Sequence, residues 1–181
     1  MTAFRILAAM ALAILTISAC AGRPAVPLDE AAIEPFVVER DLAGRTIGEG
    51  SFSAINGTNR SFTAWLDGSW DGETLTLLED FEYDDGETDK KTWRLTKLEN
   101  GEYSGTREDV VDTARGYMDG EAFRLEYTVL LPGEDGGKGM TVKFRDVLVR
   151  QADGVIINKA TVGKWGFRVG KVDLTITPVT E

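Results

Sequence analysis

Between residues 74 and 98 the chain alternates apolar and polar positions with a period of two. Leu75, Leu77, Phe81 and Tyr83 share one parity; Thr74, Thr76, Asp80 and Glu82 share the other. Strand side chains point alternately to opposite faces, so the first set predicts the core face of a β-strand and the second its wet face. Asp84-Asp85-Gly86 marks a turn, and a second strand returns through Trp93 and Leu95. Glu79 breaks the pattern. It sits on the apolar parity, where a carboxylate needs a cation, hydrogen-bond donors or a proton.

The same rhythm fills the chain beyond residue 47. Strand-like runs cover residues 47–55, 60–70, 102–111, 121–131, 140–151, 155–162 and 171–179. Asn56-Gly57, Asp71-Gly72, Asn100-Gly101, Asp119-Gly120 and Asp153-Gly154 punctuate them. Residues 132–139 read as a long glycine-rich loop and 163–170 as a further connection. Residues 109–118 could hold a turn of helix, against which Gly116 and the β-branched residues argue. A meander of eight to ten strands left open would expose two long edges. The expected fold is therefore all-β, an antiparallel up-and-down meander closing into a lipocalin-like barrel with room for a small ligand. A β-sandwich or a broad curved sheet is the alternative.

The N-terminus reads differently. Arg5 precedes an apolar run over residues 6–17, too short to span a bilayer comfortably. The run ends in Ile17-Ser18-Ala19-Cys20, which resembles the bacterial lipobox. That resemblance implies a signal peptide over residues 1–19, acylation of Cys20, and anchoring by several acyl chains. Ala21, where an aspartate would signal retention at the inner membrane, implies the outer membrane and a periplasmic face. Residues 20–35 hold three prolines and suit an extended tether, with a short amphipathic turn around residues 29–36. Residues 36–181 make a single barrel domain.

Composition excludes much chemistry. With no histidine and one cysteine, the chain can build no Ser-His-Asp triad, no Cys-His pair, no His/Cys zinc or haem site and no internal disulfide. Thirty acids against twenty bases give a net charge of −10, which argues against nucleic acid as a partner and against docking on anionic lipid by a basic patch. The acidic run 80–89 misses the EF-hand pattern, because its glycine falls one place late and Lys91 stands at position twelve. The loop 133–139 is one residue too short for a phosphate-binding loop and precedes a strand. No G-x-S-x-G elbow occurs, and no cofactor is expected.

Asp146 repeats the puzzle of Glu79, on the parity of Met140, Val142, Phe144 and Leu148. Its candidate partners are Arg107, which shares parity with Tyr103 and Gly105, and Lys159 or Lys164; Asn158 and Tyr127 could supply donors. Three readings stand: a ligand pocket with a few polar groups in an apolar wall, a catalytic carboxylate pair with separated pKa values, or an internal ion-pair network. Trp65, Trp70, Trp93 and Trp165 suit core or barrel-rim positions.

Leu77 to Glu87, Lys91 to Leu95, Tyr103 to Val111, Ala114-Arg115-Gly116, Phe144-Arg145-Asp146, Asn158-Lys159-Ala160 and Val162 to Gly166 together resemble a family of bacterial outer-membrane lipoproteins of unknown function. The resemblance covers nearly the whole domain. It implies family positions at Glu79, Phe81, Asp109, Val110, Asn158, Lys164 and Gly166. Val147-Leu148-Val149 stands where the family often has a more aromatic segment.

The leading expectation is a non-enzymatic lipoprotein, held at the membrane by its lipid anchor, that binds a small apolar or amphipathic molecule. Phe81, Tyr127 and Phe144 would form the wall, and Glu79 and Asp146 would orient a polar head. Trp93, Arg107, Asp109, Asn158 and Lys164 complete the candidate contacts. The alternatives are a structural or assembly lipoprotein acting through an exposed aromatic around Trp65 or Trp165, and a carboxylate hydrolase of envelope glycans.

Overall fold

A computed structural model describes residues 22–26, 33–132 and 139–179. A two-residue strand, β1 (Ile33–Glu34), and one turn of helix, α1 (Val38–Asp41), precede ten long-range-paired strands. These are β2 (Gly44–Ala54), β3 (Asn59–Trp70), β4 (Thr74–Tyr83), β5 (Thr88–Lys97), β6 (Tyr103–Thr106), β7 (Val110–Asp119), β8 (Ala122–Leu131), β9 (Met140–Gln151), β10 (Ile156–Lys164) and β11 (Phe167–Pro178). Each pairs antiparallel with the next, and β11 returns to β2, from Gly170 opposite Ala54 to Pro178 opposite Thr46. The meander is thus a closed, lipocalin-like barrel, and closure removes both edges. The sandwich and open-sheet alternatives fall with the β11–β2 pairing.

The interior has a sealed end and an open end. Leu75, Leu95, Phe123 and Ile156 are fully buried at one end, whereas Phe52, Phe62, Phe81 and Phe144 toward the other are only half-buried. Phe36, Val38 and Leu42 plug the sealed end. Phe36 stacks on Phe123 at 5.8 Å, and its N–H donates to the Glu121 carbonyl at 3.0 Å. Asp41 accepts the Val37 N–H at 2.7 Å, and Glu39 binds Lys97 and the Tyr103 hydroxyl. Burying each apolar plug residue stabilises the fold by about 1.5–3 kcal/mol. The plug crosses β3 at Gly68, where a Cβ would stand 1.8 Å from the Leu42 carbonyl oxygen, so no side chain fits there.

Several local expectations are corrected. The run 102–111 is two strands, broken at Arg107-Glu108-Asp109, where the Val110 N–H donates to the Arg107 carbonyl at 3.1 Å. Residues 110–119 form a strand, not a helical turn; its pairing shifts between Val111 and Arg115, with Asp112 at φ 64°. The helical turn expected around residues 29–36 falls at Val38–Asp41, and residues 29–32 lie outside the described residues. The connection 163–170 shrinks to the two-residue turn Trp165-Gly166, both at positive φ.

The barrel unit begins before residue 36, since Ile33 and Glu34 pair with Gln151 and Arg150. Residues 22–26 lie along the outer wall instead of standing clear as a tether. Thr161 donates to the Gly22 carbonyl and Arg124 to the Pro24 carbonyl, each at 2.7 Å. Val26 packs against Ala122, Val147 and Val149. This explains the continuous apolar run Val147-Leu148-Val149: Leu148 faces the lumen while its neighbours are covered from outside.

Candidate functional site

The half-open barrel encloses a cavity of about 360 Å³. That lies within the range of small-molecule sites, roughly 300–1,000 Å³. Most of its wall is aliphatic and aromatic, and Glu79, Arg107, Tyr127, Asp146 and Asn158 supply a polar group within it. Each of these side chains points inward, as its parity along the chain requires.

Arg107 organises one side. It leaves the end of β6 with its side chain 12% exposed, over the rings of Trp93 at 4.8 Å and Tyr127 at 5.3 Å. Its Nε and Nη2 donate to the two Asp109 oxygens at 2.7 and 3.2 Å. Nη1 is left toward Glu79 Oε2 at 3.8 Å, an ion pair without a hydrogen bond. Burial works against ionisation of Asp109, but the Arg107 hydrogen bonds and the Arg107 and Lys91 charges outweigh it, so its pKa lies below the ordinary value. Lys91 stands 3.4 Å from Asp109.

Asp146 lies across the lumen on β9. Its Oδ2 accepts from the Tyr127 hydroxyl at 3.3 Å, and the Asn158 side chain stands nearby and favours the ionised carboxyl. Tyr127 stacks on Phe144 at 5.1 Å and meets Trp93 edge-on at 5.0 Å, so the phenol is fixed by aromatic packing on two sides. Burial pushes the Asp146 carboxyl up to about 7 against the pull of Arg107, Asn158 and Tyr127. Burial likewise raises Glu79 to about 7; Arg107 opposes this, while Asp146 and Asp109 add to it. Near neutral pH both acids exchange protons readily, and each can donate or accept a hydrogen bond. A glycosidase-like pair needs one acid and one ionised partner. These two are raised alike.

Glu79 Oε2, Asp146 Oδ1 and Asn158 Oδ1 are buried without a hydrogen-bond partner among the described residues. All three are acceptors in the cavity wall. Burying such an oxygen unpaired is costly, so a donor arriving in the cavity is stabilised there.

Of the residues singled out in the sequence, Glu79, Phe81, Trp93, Arg107, Tyr127, Phe144, Asp146 and Asn158 line the cavity. Asp109 stands behind Arg107 and orients it. Lys164 is not in the wall: at the last position of β10 its Nζ reaches Met140 Sδ at 2.9 Å and lies 4.5 Å over the Trp165 ring. Lys159 alternates with inward Asn158 and Ala160, so Asp146 takes its hydrogen bond from Tyr127 instead of from a lysine. Cys20 lies outside the described residues. Sequence reasoning passed over Arg60, which lines the mouth, packs 3.9 Å over Tyr83 and binds Asp85 and Glu87. The signal was present: Arg60 shares parity with Phe62, Ala64 and Leu66.

The family described as "Protein of unknown function (DUF3833)" matches residues 14–178, and the chain belongs to it. No curated protein matches the sequence. Among solved structures, the S-type phycobiliprotein lyase CPES from Guillardia theta superposes with a TM-score of 0.54 at 12% identity, over 78% of this chain and 90% of that one. Rv2717c from M. tuberculosis superposes with a TM-score of 0.55 at 12% identity, over 78% and 94%. At this identity the likeness establishes the barrel fold.

Proposed function

We propose that this DUF3833 protein is an exported lipoprotein, anchored through an acylated Cys20 to the outer membrane and facing the periplasm, whose barrel takes up a small amphipathic molecule. The lipobox-like Ile17-Ser18-Ala19-Cys20 supports the anchor. One observation carries the binding reading: an apolar cavity of about 360 Å³ whose wall holds three buried acceptor oxygens without partners. The apolar part of the ligand packs against Phe62, Phe81 and Phe144. Its head is neutral or cationic and donates hydrogen bonds to Glu79, Asp146 and Asn158. An assembly protein acting only through its surface has no use for such a space.

The test is native mass spectrometry of the exported full-length protein, paired with binding of N-phenyl-1-naphthylamine, an apolar dye with one N–H. A reproducible extra mass lost on denaturation, and dye binding weakened at least tenfold by Ala160→Phe in a variant that still melts cooperatively, are expected. A bare protein mass together with dye binding unchanged by Ala160→Phe overturns the reading.

A further inference from the structure

One side of the cavity's mouth differs from the rest of the surface. Ile55, Trp165 and Phe167 are 77%, 86% and 63% exposed, and Met140 stands beside them. They lie at the ends of β9, β10, β11 and β2, which are neighbours in that order. The Ile55 N–H donates to the Val169 carbonyl at 3.0 Å, tying the two hairpin tips together, and Lys164 links Met140 to Trp165. Single exposed apolar residues are ordinary on a soluble surface; a contiguous group of large ones is not. Trp165 also holds φ 52°, a conformation that asparagine or glycine adopts more readily. A bulky indole is kept where the backbone disfavours it and water surrounds it. Lys164 and Arg168 flank the tip, whereas the β4–β5 turn, elsewhere on the mouth, carries Asp84, Asp85 and Glu87.

The N-terminal segment leads to the same end. Val26 rests on Ala122 and Val149 near the sealed end, Arg23 pairs with Glu126 further up, and Gly22 is held by Thr161. Read toward the N-terminus, the segment climbs the outer wall toward the mouth. Thr161 is three residues from the end of β10, about 10 Å at strand rise. Cys20 precedes Gly22 by two residues, at most about 7 Å of extended chain.

We infer that the tip formed by Ile55, Trp165 and Phe167 docks into the interfacial layer of the bilayer that holds Cys20, so that the cavity opens onto lipid. The choice of that bilayer rests on the anchor reading above. Tryptophan favours the headgroup layer, where its apolar body is buried and its N–H is satisfied. Lys164 and Arg168 meet lipid phosphates, and the acidic β4–β5 turn stays in water. An amphipathic ligand then passes between membrane and lumen without crossing open solvent.

Cys20 is the single cysteine, so the chain from Cys20 onward, which contains the whole barrel, can be coupled through its thiol to a maleimide lipid. Coupling to phosphatidylethanolamine–phosphatidylglycerol vesicles places it at a bilayer whether or not a cell acylates it. Lipids with brominated acyl chains quench nearby tryptophan. A loss of about a quarter of the tryptophan emission, one indole of four, is expected in the parent, and none in Trp165→Asn, since Trp65 faces outward from mid-β3, Trp70 is at the sealed end and Trp93 is buried. Asparagine suits the turn, and a thermal melt verifies that the variant folds. Equal quenching in parent and variant, or none in the parent, overturns the docking tip. The anchor is judged separately, by the mass of the protein extracted from membranes. An unacylated mass there removes the anchor and leaves the vesicle result to decide the tip.

Discussion

Replacing Glu79 by glutamine should stabilise the protein at alkaline pH and leave it almost unchanged in acid. Glutamine copies the shape and neutrality of a protonated glutamate. In the folded chain the Glu79 carboxyl is raised from 4.5 to about 7, chiefly by burial. At about 1.4 kcal/mol per pH unit, ionising it costs the fold roughly 3 kcal/mol. The folded value lies above the unfolded one, so the folded chain holds the extra proton between about pH 4.5 and 7. The favourable contribution is complete below the unfolded value and is lost as the pH rises through the folded one. Arg107 does not reverse this. It is already doubly bonded to Asp109, and its Nη1 is 3.8 Å from Glu79, so deleting the carboxylate orphans no cation. Asp146, raised from 3.8 to about 7, titrates in the same direction, and the parent itself should weaken between pH 5 and 8. Urea midpoints at half-unit steps from pH 5 to 9, at constant m, measure the effect. Glu79→Gln should lie within about 1 kcal/mol of the parent near pH 5 and exceed it by up to roughly 3 kcal/mol at pH 8.5. A variant weaker than the parent at pH 8.5, with the gap closing in acid, would refute the reasoning, because that is the signature of a carboxylate held ionised by Arg107.

Asp109→Asn should behave in the opposite sense. The Asp109 carboxyl is held below its ordinary 3.8, so its contribution is present above that value and lost as the pH falls through the lowered one; a deficit of roughly 2 kcal/mol at pH 7 should shrink as the pH falls below 3.8 in urea titrations. Trp165→Asn should raise stability by about 1 kcal/mol by relieving a left-handed tryptophan, read as a higher thermal midpoint. Gly68→Ala should lift the plug, because its Cβ meets the Leu42 carbonyl at 1.8 Å; a loss of about 1–3 kcal/mol with faster amide exchange over residues 36–42 is expected.

The barrel was legible because its strands alternate and its turns carry Asp-Gly or Asn-Gly pairs, two signals that agree along most of the chain. Where they disagreed, the reading slipped. Residues 102–111 look like one strand because Arg107 keeps the alternation going through what is a turn. Residues 109–118 lose their period at the irregular pairing around Asp112, which imitates a helical turn. The helical plug was expected a few residues too early, and the docked segment 22–26 was not expected at all, for another reason. Their apolar residues are few and close together, and only a finished barrel offers them a surface to cover.

Parity assigns a face but not a height, and the candidate site turns on that difference. Asn158, Ala160, Val162 and Lys164 share one parity, yet Asn158 stands at the depth of the carboxyls while Lys164 ends at the rim and turns to Met140 and Trp165. Height depends on register, and register is fixed by all the pairings around the closed sheet at once. Glu79 on β4, Arg107 after β6 and Asp146 on β9 are separated by several strands. They share one cavity because β2 pairs with β11, a long-range fact that alternation within a run does not contain. The two raised carboxyls follow from the same closure. Each would be an ordinary surface acid on an open sheet. Inside the barrel each loses its water and finds a single arginine already committed to Asp109. The polarity of the lumen is thus a property of the closed topology, which leaves three buried acceptor oxygens unpaired among the described residues.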